Sequence, residues 1–336
     1  MDIYLDYNVF IDLEEKKELN KELYEKILKE LSKHNVVYTY GHLEELSSHL
    51  LNQENFERKK ELERLNLISE ITKNKEIIFD YEKDIFLKTI EPVMKCYERV
   101  QKSEKYNKMQ DEKFREIHKN NIEDIKEIKN INNVNNDRLF EEISVEFIKY
   151  ISNEEKEQIE IYKELENIKF IDYECFFYEK IQNNLEKREE IIEEMDLTIK
   201  NHSKHIRIYE SKMKVLNILK NLNKEKELSK YLNSFFLTEY LYELLFNFLY
   251  FISYFKEKEN YKNFSKSSTY RGKIFDVTHS IFASHCNIFI TSDNRLYKKV
   301  NAIYKFLGVN TEVVLINNAR QKENKDILDV LLALKQ

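Results

Sequence analysis

The chain has 336 residues, room for one large domain or two ordinary ones. Hydrophobic residues (42%) are enough to bury a core, and the 35% that are charged must cover long solvated faces. Three Gly and one Pro argue against an all-β fold, which needs many turns built from those residues, so long helices are expected. A net charge of −6 argues against a generally basic nucleic-acid binder, although local basic patches remain. Cys96, Cys175 and Cys286 are far apart and form no CxxC pair. That sets aside a disulfide framework or a zinc–thiolate site and makes a reducing cytoplasm the expected compartment. Met1-Asp2-Ile3-Tyr4 lacks the start of a secretory signal, and no apolar run is long enough to span a bilayer, so no membrane partner is expected.

In chain order, residues 2–6 (DIYLD) read as a short strand ending at Asp6. Leu19, Leu23, Ile27, Leu28 and Leu31 follow as a helical stripe. Residues 35–40 (NVVYTY) form a second β-type run, with Gly41 and a new helix after it. The stretch from about 50 to 260 is almost wholly helix-compatible, with breaks near Pro92, 130–137, 167–173 and 221–226; several long helices are predicted there. Its most apolar part, 232–255, predicts a core helix or a subunit interface. The α/β rhythm then resumes. Residues 275–285 predict a helix, 287–291 a buried strand, 292–307 a helix stopped by Gly308, 311–316 a strand, and 325–335 a last helix. Such alternation predicts a parallel sheet with covering helices.

Four acids recur at the same kind of place in this pattern. Asp6 ends the first strand, and Glu45 lies one turn into the helix after the second. Asp276 begins the helix before the third strand, and Asp293 immediately follows that strand. In an open parallel sheet, the carboxyl ends of strands and the starts of the following helices converge on one edge. Carboxylates gathered there repel one another unless cations neutralise them, and Mg²⁺ or Mn²⁺ prefers such oxygen ligands. Divalent ions at an acidic site activate water and stabilise the leaving oxygen of a phosphodiester. Asp276 and Asp293 also suit helix N-caps, and Asp6 suits an Asx-turn; one carboxylate oxygen can cap while the other binds metal. His279 lies three residues after Asp276 on the same helical face. It, His42 and His49 read equally as structural histidines or as neighbours of the site.

In these motifs the chain resembles the PIN-domain nucleases. Asp6-Tyr7-Asn8-Val9-Phe10 is similar to the family's first motif, and Thr39 through Glu45-Leu46 to its second. Asp276 through Ala283 resembles the third, and Thr291-Ser292-Asp293 the strand-ending fourth. The register with Leu46 favours Glu45 over Glu44. The resemblance covers about the first 50 and last 70 residues, and about 230 residues separate Glu45 from Asp276. It implies a PIN-like α/β core from residues 1–50 and 268–336, split by an all-α insertion over 51–267. It also implies that Asp6, Glu45, Asp276 and Asp293 hold Mg²⁺ or Mn²⁺. Asn8 would support Asp6, while Thr291 and Ser292 would orient Asp293 or a phosphate. The implied activity is metal-dependent phosphodiester hydrolysis without a covalent nucleophile, with RNA favoured over DNA, in a toxic or defence-related bacterial setting.

Lys262, Lys266, Tyr270, Arg271 and Lys273 form a basic, aromatic stretch leading into Asp276; it reads equally as a nucleic-acid contact or as a connector. The insertion is expected to serve a regulatory protein partner or a homo-oligomer. The rival readings are a catalytically silent core carrying a helical scaffold, and a structure-selective flap-type DNA nuclease.

Overall fold

The computed structural model describes residues 1–51, 58–80, 83–101, 139–167, 177, 179–183, 185–221, 228–252, 254, 267–316 and 326–334. The strands are β1 (Asp2–Leu5), β2 (Asn35–Val37), β3 (Lys75–Asp80), β4 (Ile85–Ile90), β5 (Ile288–Thr291) and β6 (Glu312–Leu315). Helices α1 (Tyr7–Leu19), α2 (Lys21–Leu31), α3 (Tyr40–Leu51), α4 (Arg58–Thr72) and α5 (residues 93–101) belong to the first part of the chain. They are followed by α6 (Ser144–Asn167), α7 (Arg188–Lys220), α8 (Phe235–Phe251), α9 (Ser267–Ala283), α10 (Asn294–Leu307) and α11 (Ile327–Ala333). No helix among the described residues is long and apolar enough to cross a membrane.

The chain divides into two compact units, one of Met1–Glu142, Asn233–Phe235 and Tyr242–Gln336, the other of Ile143–Leu232 and Phe236–Leu241. The first is an α/β unit built on a four-stranded sheet of order β2-β1-β5-β6, parallel throughout. β1 and β5 pair through Ile3↔Ile288, Tyr4↔Phe289 and Leu5↔Ile290. Side chains alternate across a strand. Ile3, Leu5, Ile288 and Ile290 therefore join the core shared with Phe10 and Leu13 of α1, Ile27 of α2, Ile68 of α4 and Leu331 of α11. Tyr4 and Phe289 face the other way, where their rings meet at 5.7 Å. Both faces are covered, which is why these strands read as nearly continuous apolar runs. Gly308 ends α10 in the left-handed conformation (φ 71°), as its position predicts.

The expected domain ranges and the compact units do not coincide. Residues 58–101 were expected in an all-α insertion, but they fall in the first unit and contain an antiparallel hairpin, β3–β4. Its short apolar runs lie among charged residues and its turn region uses Asp84 at φ 52° in place of glycine, so the segment resembles its helical neighbours in composition. β3 also touches the main sheet: the Tyr38 N–H donates to the Lys75 carbonyl (2.9 Å), and the Ile77 N–H to the Tyr38 carbonyl (2.9 Å). Leu65, Ile68, Ile71, Val93, Cys96 and Tyr97 then enter the same core, tying α4 and α5 to the sheet. The predicted core helix is α8, and its Leu244, Leu245, Phe246, Phe248 and Leu249 are buried. In the second unit α6 packs on α7, and the Lys220 ammonium meets Glu155 at 2.6 Å. Residues 130–137 and most of 167–173 and 221–226, where helix breaks were predicted, lie outside the described residues.

Candidate metal centre

The strand order places a switch point between β1 and β5. From β1 the chain moves out to β2 on one side, and from β5 to β6 on the other. Ligand sites in open parallel sheets form in the crevice beyond the carboxyl ends of strands at such a point. Asp6 follows β1 there, and Thr291-Ser292-Asp293 ends β5.

Asp6 occupies the N-cap position of α1 in an extended conformation, yet its side chain makes no capping hydrogen bond. An Asp in that position ordinarily accepts from the N–H groups of the first turn. Here the carboxylate, 2% exposed, turns instead toward the crevice. Its Oδ2 accepts from the Thr291 hydroxyl at 2.8 Å and has a longer contact, 3.4 Å, with Asn8 Nδ2. The same Thr291 hydroxyl accepts from the Asp293 N–H at 3.0 Å, so one side chain links the two strand ends. Asp293 caps α10, its Oδ1 accepting from the N–H groups of Arg295 (2.7 Å) and Leu296 (3.1 Å), as its position predicts. Ser292 is buried beside it.

Glu45 comes from the second turn of α3, which packs on α9. The approach is close: a Cβ on Gly41 would lie 2.9 Å from Thr278 Cγ2. Glycine at this point lets the helices near enough for the Glu45 Oε2 to meet His279 Nε2 at 3.0 Å. The other His279 nitrogen, Nδ1, lies 2.7 Å from the Tyr4 hydroxyl, which is 3.0 Å from Thr39 Oγ1. Thr39 Oγ1 is in turn 3.3 Å from His42 Nδ1, and His42 Nε2 is 2.7 Å from the Leu5 carbonyl. With His279 doubly protonated, every hydrogen in this chain points one way, from His279 to the end of β1. His42 is held neutral: burial pushes it down to about 3, its ring spanning the Leu5 carbonyl and the Thr39 N–H.

Asp6, Glu45 and His279 each offer one ligand atom, and these atoms all lie within 4.8 Å of one another. Their electrostatics show a site short of positive charge. Burial pushes Asp6 up to about 6, with Glu45 and Asp293 adding repulsion against the pull of His279. Burial likewise pushes Asp276 up to about 8, opposed by Lys299 and reinforced by Asp293, Asp6 and Glu45. Burial alone would depress His279, but the Glu45 hydrogen bond and the charges of Glu45, Asp6 and Asp276 outweigh it and raise its pKa. The two carboxylates fit a divalent cation, and His279 joins them as a ligand once it gives up its Nε2 proton, since an imidazolium has no lone pair to offer.

Asp276 does not open a helix as expected. α9 begins at Ser267, in a run of hydroxyl residues suited to helix starts, so Asp276 lies well inside it and cannot be a cap. Its Oδ2 accepts from the Tyr250 hydroxyl at 3.2 Å. Asp276 and Asp293 stand outside the ligand-distance group, although their charges act on its members. Lys262 and Lys266, and the side chains of Tyr270, Arg271 and His49, lie outside the described residues. Lys273 lies 4.4 Å from the Tyr250 ring centre.

Sequence reasoning left His279 open and missed Tyr4, Tyr250 and Lys299. Lys299 had a signal: three residues after Leu296 and four before Ile303, it sits within the apolar stripe of α10. Comparisons with protein-family models, curated proteins and solved structures find no match to this chain. Fold and site together define an α/β protein with a parallel four-stranded sheet and a carboxylate–histidine cluster at its switch point.

Proposed function

We propose that the first unit is a PIN-like nuclease core that hydrolyses phosphodiester bonds with Mg²⁺ or Mn²⁺, RNA being favoured over DNA. The observation that carries this reading is Asp6: a buried carboxylate at a helix N-cap that leaves the cap unmade and lies within ligand range of Glu45 and His279. A capping aspartate would satisfy the first turn of α1; this one bonds Thr291 instead and lies beside Glu45 and His279.

In this reading Asp6 and Glu45 hold the ion, with Asp276 and Asp293 completing the negative surround. A divalent ion supplies Lewis acidity, lowering the pKa of a water and offsetting charge on the phosphate. Thr291 fixes the Asp6 rotamer and ties it to Asp293. His279 orients Glu45 and is itself oriented by Tyr4. Asn8, exposed at the start of α1, lies 3.4 Å from the Asp6 carboxylate.

The test uses purified full-length protein with labelled single-stranded RNA, structured RNA, single-stranded DNA and branched duplex DNA, each with Mn²⁺, Mg²⁺ or EDTA. The expected result is metal-dependent cleavage that falls roughly 100-fold or more in Asp6→Asn and Asp293→Asn, the scale of losing several kcal/mol of transition-state stabilisation. Cleavage that persists in EDTA or in both variants would overturn the assignment. Stronger cutting of branched DNA than of any RNA would move the substrate class to DNA.

A further inference from the structure

The geometry points to a centre that takes one divalent ion per chain, at the Asp6–Glu45–His279 end, with the Lys299 ammonium as the fixed cation at the Asp276 end. This rests on the metal-dependent reading above and specifies its stoichiometry. Acidic phosphodiesterase sites can use a pair of ions about 4 Å apart, which requires free carboxylates at both positions. Here the acidic cluster is asymmetric. At one end, Asp6, Glu45 and His279 present ligand atoms within 4.8 Å of one another.

At the other end the chain's own groups act on Asp276. Lys299 is 1% exposed, and lysine is almost never buried so completely without a charge to answer. Its Nζ lies 4.0 Å from the Tyr250 ring centre, a cation–π distance. The hydroxyl of that ring donates to Asp276 at 3.2 Å. Lys299 is also the group that opposes the other influences on Asp276, so its charge reaches that carboxylate. Asp293, the remaining acid, spends one of its two oxygens on two backbone N–H groups of α10, so it has only the other to offer a cation. A second divalent ion would have to approach a buried ammonium and compete with the Tyr250 hydroxyl for Asp276. Lysine fixed in the fold thus supplies the positive charge that a second ion would otherwise bring.

The experiment is Mn²⁺ titration of full-length protein, followed by calorimetry and by electron paramagnetic resonance. The wild type should bind one ion per chain and show no exchange-coupled Mn²⁺ pair. Lys299→Met, which keeps much of the side-chain length but not the charge, should bind a second ion, whereas Lys299→Arg should stay at one. Two ions in the wild type, or an exchange-coupled spectrum, would overturn the single-ion assignment while leaving the metal centre standing. No bound Mn²⁺ at all would remove the centre itself, and this inference with it. If Lys299→Met fails to fold, the wild-type stoichiometry and spectrum still decide the matter. A folded Lys299→Met that binds one ion would show that the lysine is not what excludes the second.

Discussion

Asp6, Asp276 and His279 are raised in the folded protein, so all three shift stability with pH in the same sense. An acid raised above its unfolded value stabilises the fold below that unfolded value, and the benefit is lost as pH rises through the folded pKa. For Asp6 that loss runs from about 4 to about 6, and for Asp276 from about 4 to about 8. His279, also raised, loses its contribution above its ordinary value of 6.5. His42 and His285 are depressed, to about 3 and about 4, and act oppositely, but only as pH falls below 6.5. Between about pH 7 and about pH 8.5 the balance is therefore one-sided. In EDTA, the unfolding temperature should fall across that window. Mn²⁺, by neutralising the carboxylates, should raise it more at the upper end than at the lower. Scanning calorimetry with and without Mn²⁺ checks both; a metal-free protein that grows more stable over this interval would contradict the charge assignment.

Among the elements, the packing of α3 on α9 decides whether the site exists, because it carries Glu45 to His279. Gly41→Ala would push a methyl into Thr278 at 2.9 Å. Overpacking of this kind costs about 1–3 kcal/mol. A lowered melting temperature and at least a tenfold weaker Mn²⁺ affinity are expected by thermal melting and calorimetry, the latter on the scale of lost ligand-orienting contacts. Unchanged affinity would mean that the helices accommodate the methyl without moving Glu45. The four strands of the main sheet were legible because each is a short β-branched or aromatic run that stops at a polar residue or, after the second, at Gly41. Asp6 and Asp293 were legible because a carboxylate at a strand end is a local pattern. The β3–β4 hairpin was not, since Lys73, Asn74 and Asp84 adopt positive φ where glycine would have signalled a turn. Asp276 suits a cap in the sequence because the start of α9, nine residues upstream, lies in a polar run without a sharp boundary. Tyr4 and Tyr250 are tertiary partners, and no spacing in the sequence links them to His279 and Asp276.

The first unit gathers its site from distant parts of one chain, so a bound ion should act as a clasp on that unit. Ligands that bind only the folded state stabilise it in proportion to RT ln(1 + [L]/Kd), about 2.7 kcal/mol at a hundredfold excess over Kd. Hydrogen exchange with Mn²⁺ should slow the amides of β1, β5 and the start of α10, and leave those of α6 and α7 unchanged. Uniform protection of both units would argue against a localised centre. The sheet order also imposes a schedule on the newborn protein. β1 lies between β2 and β5, and β5 is made about 280 residues later. At roughly 5–20 residues per second, that leaves one edge of β1 waiting for about 15 to 60 seconds. For most of that time Asp6 and Glu45 exist without His279 or Asp276, and throughout it without Asp293. The ribosome thus acts as a timer, and a product broken off before β5 lacks both Asp293 and the strand that pairs with the inner edge of β1.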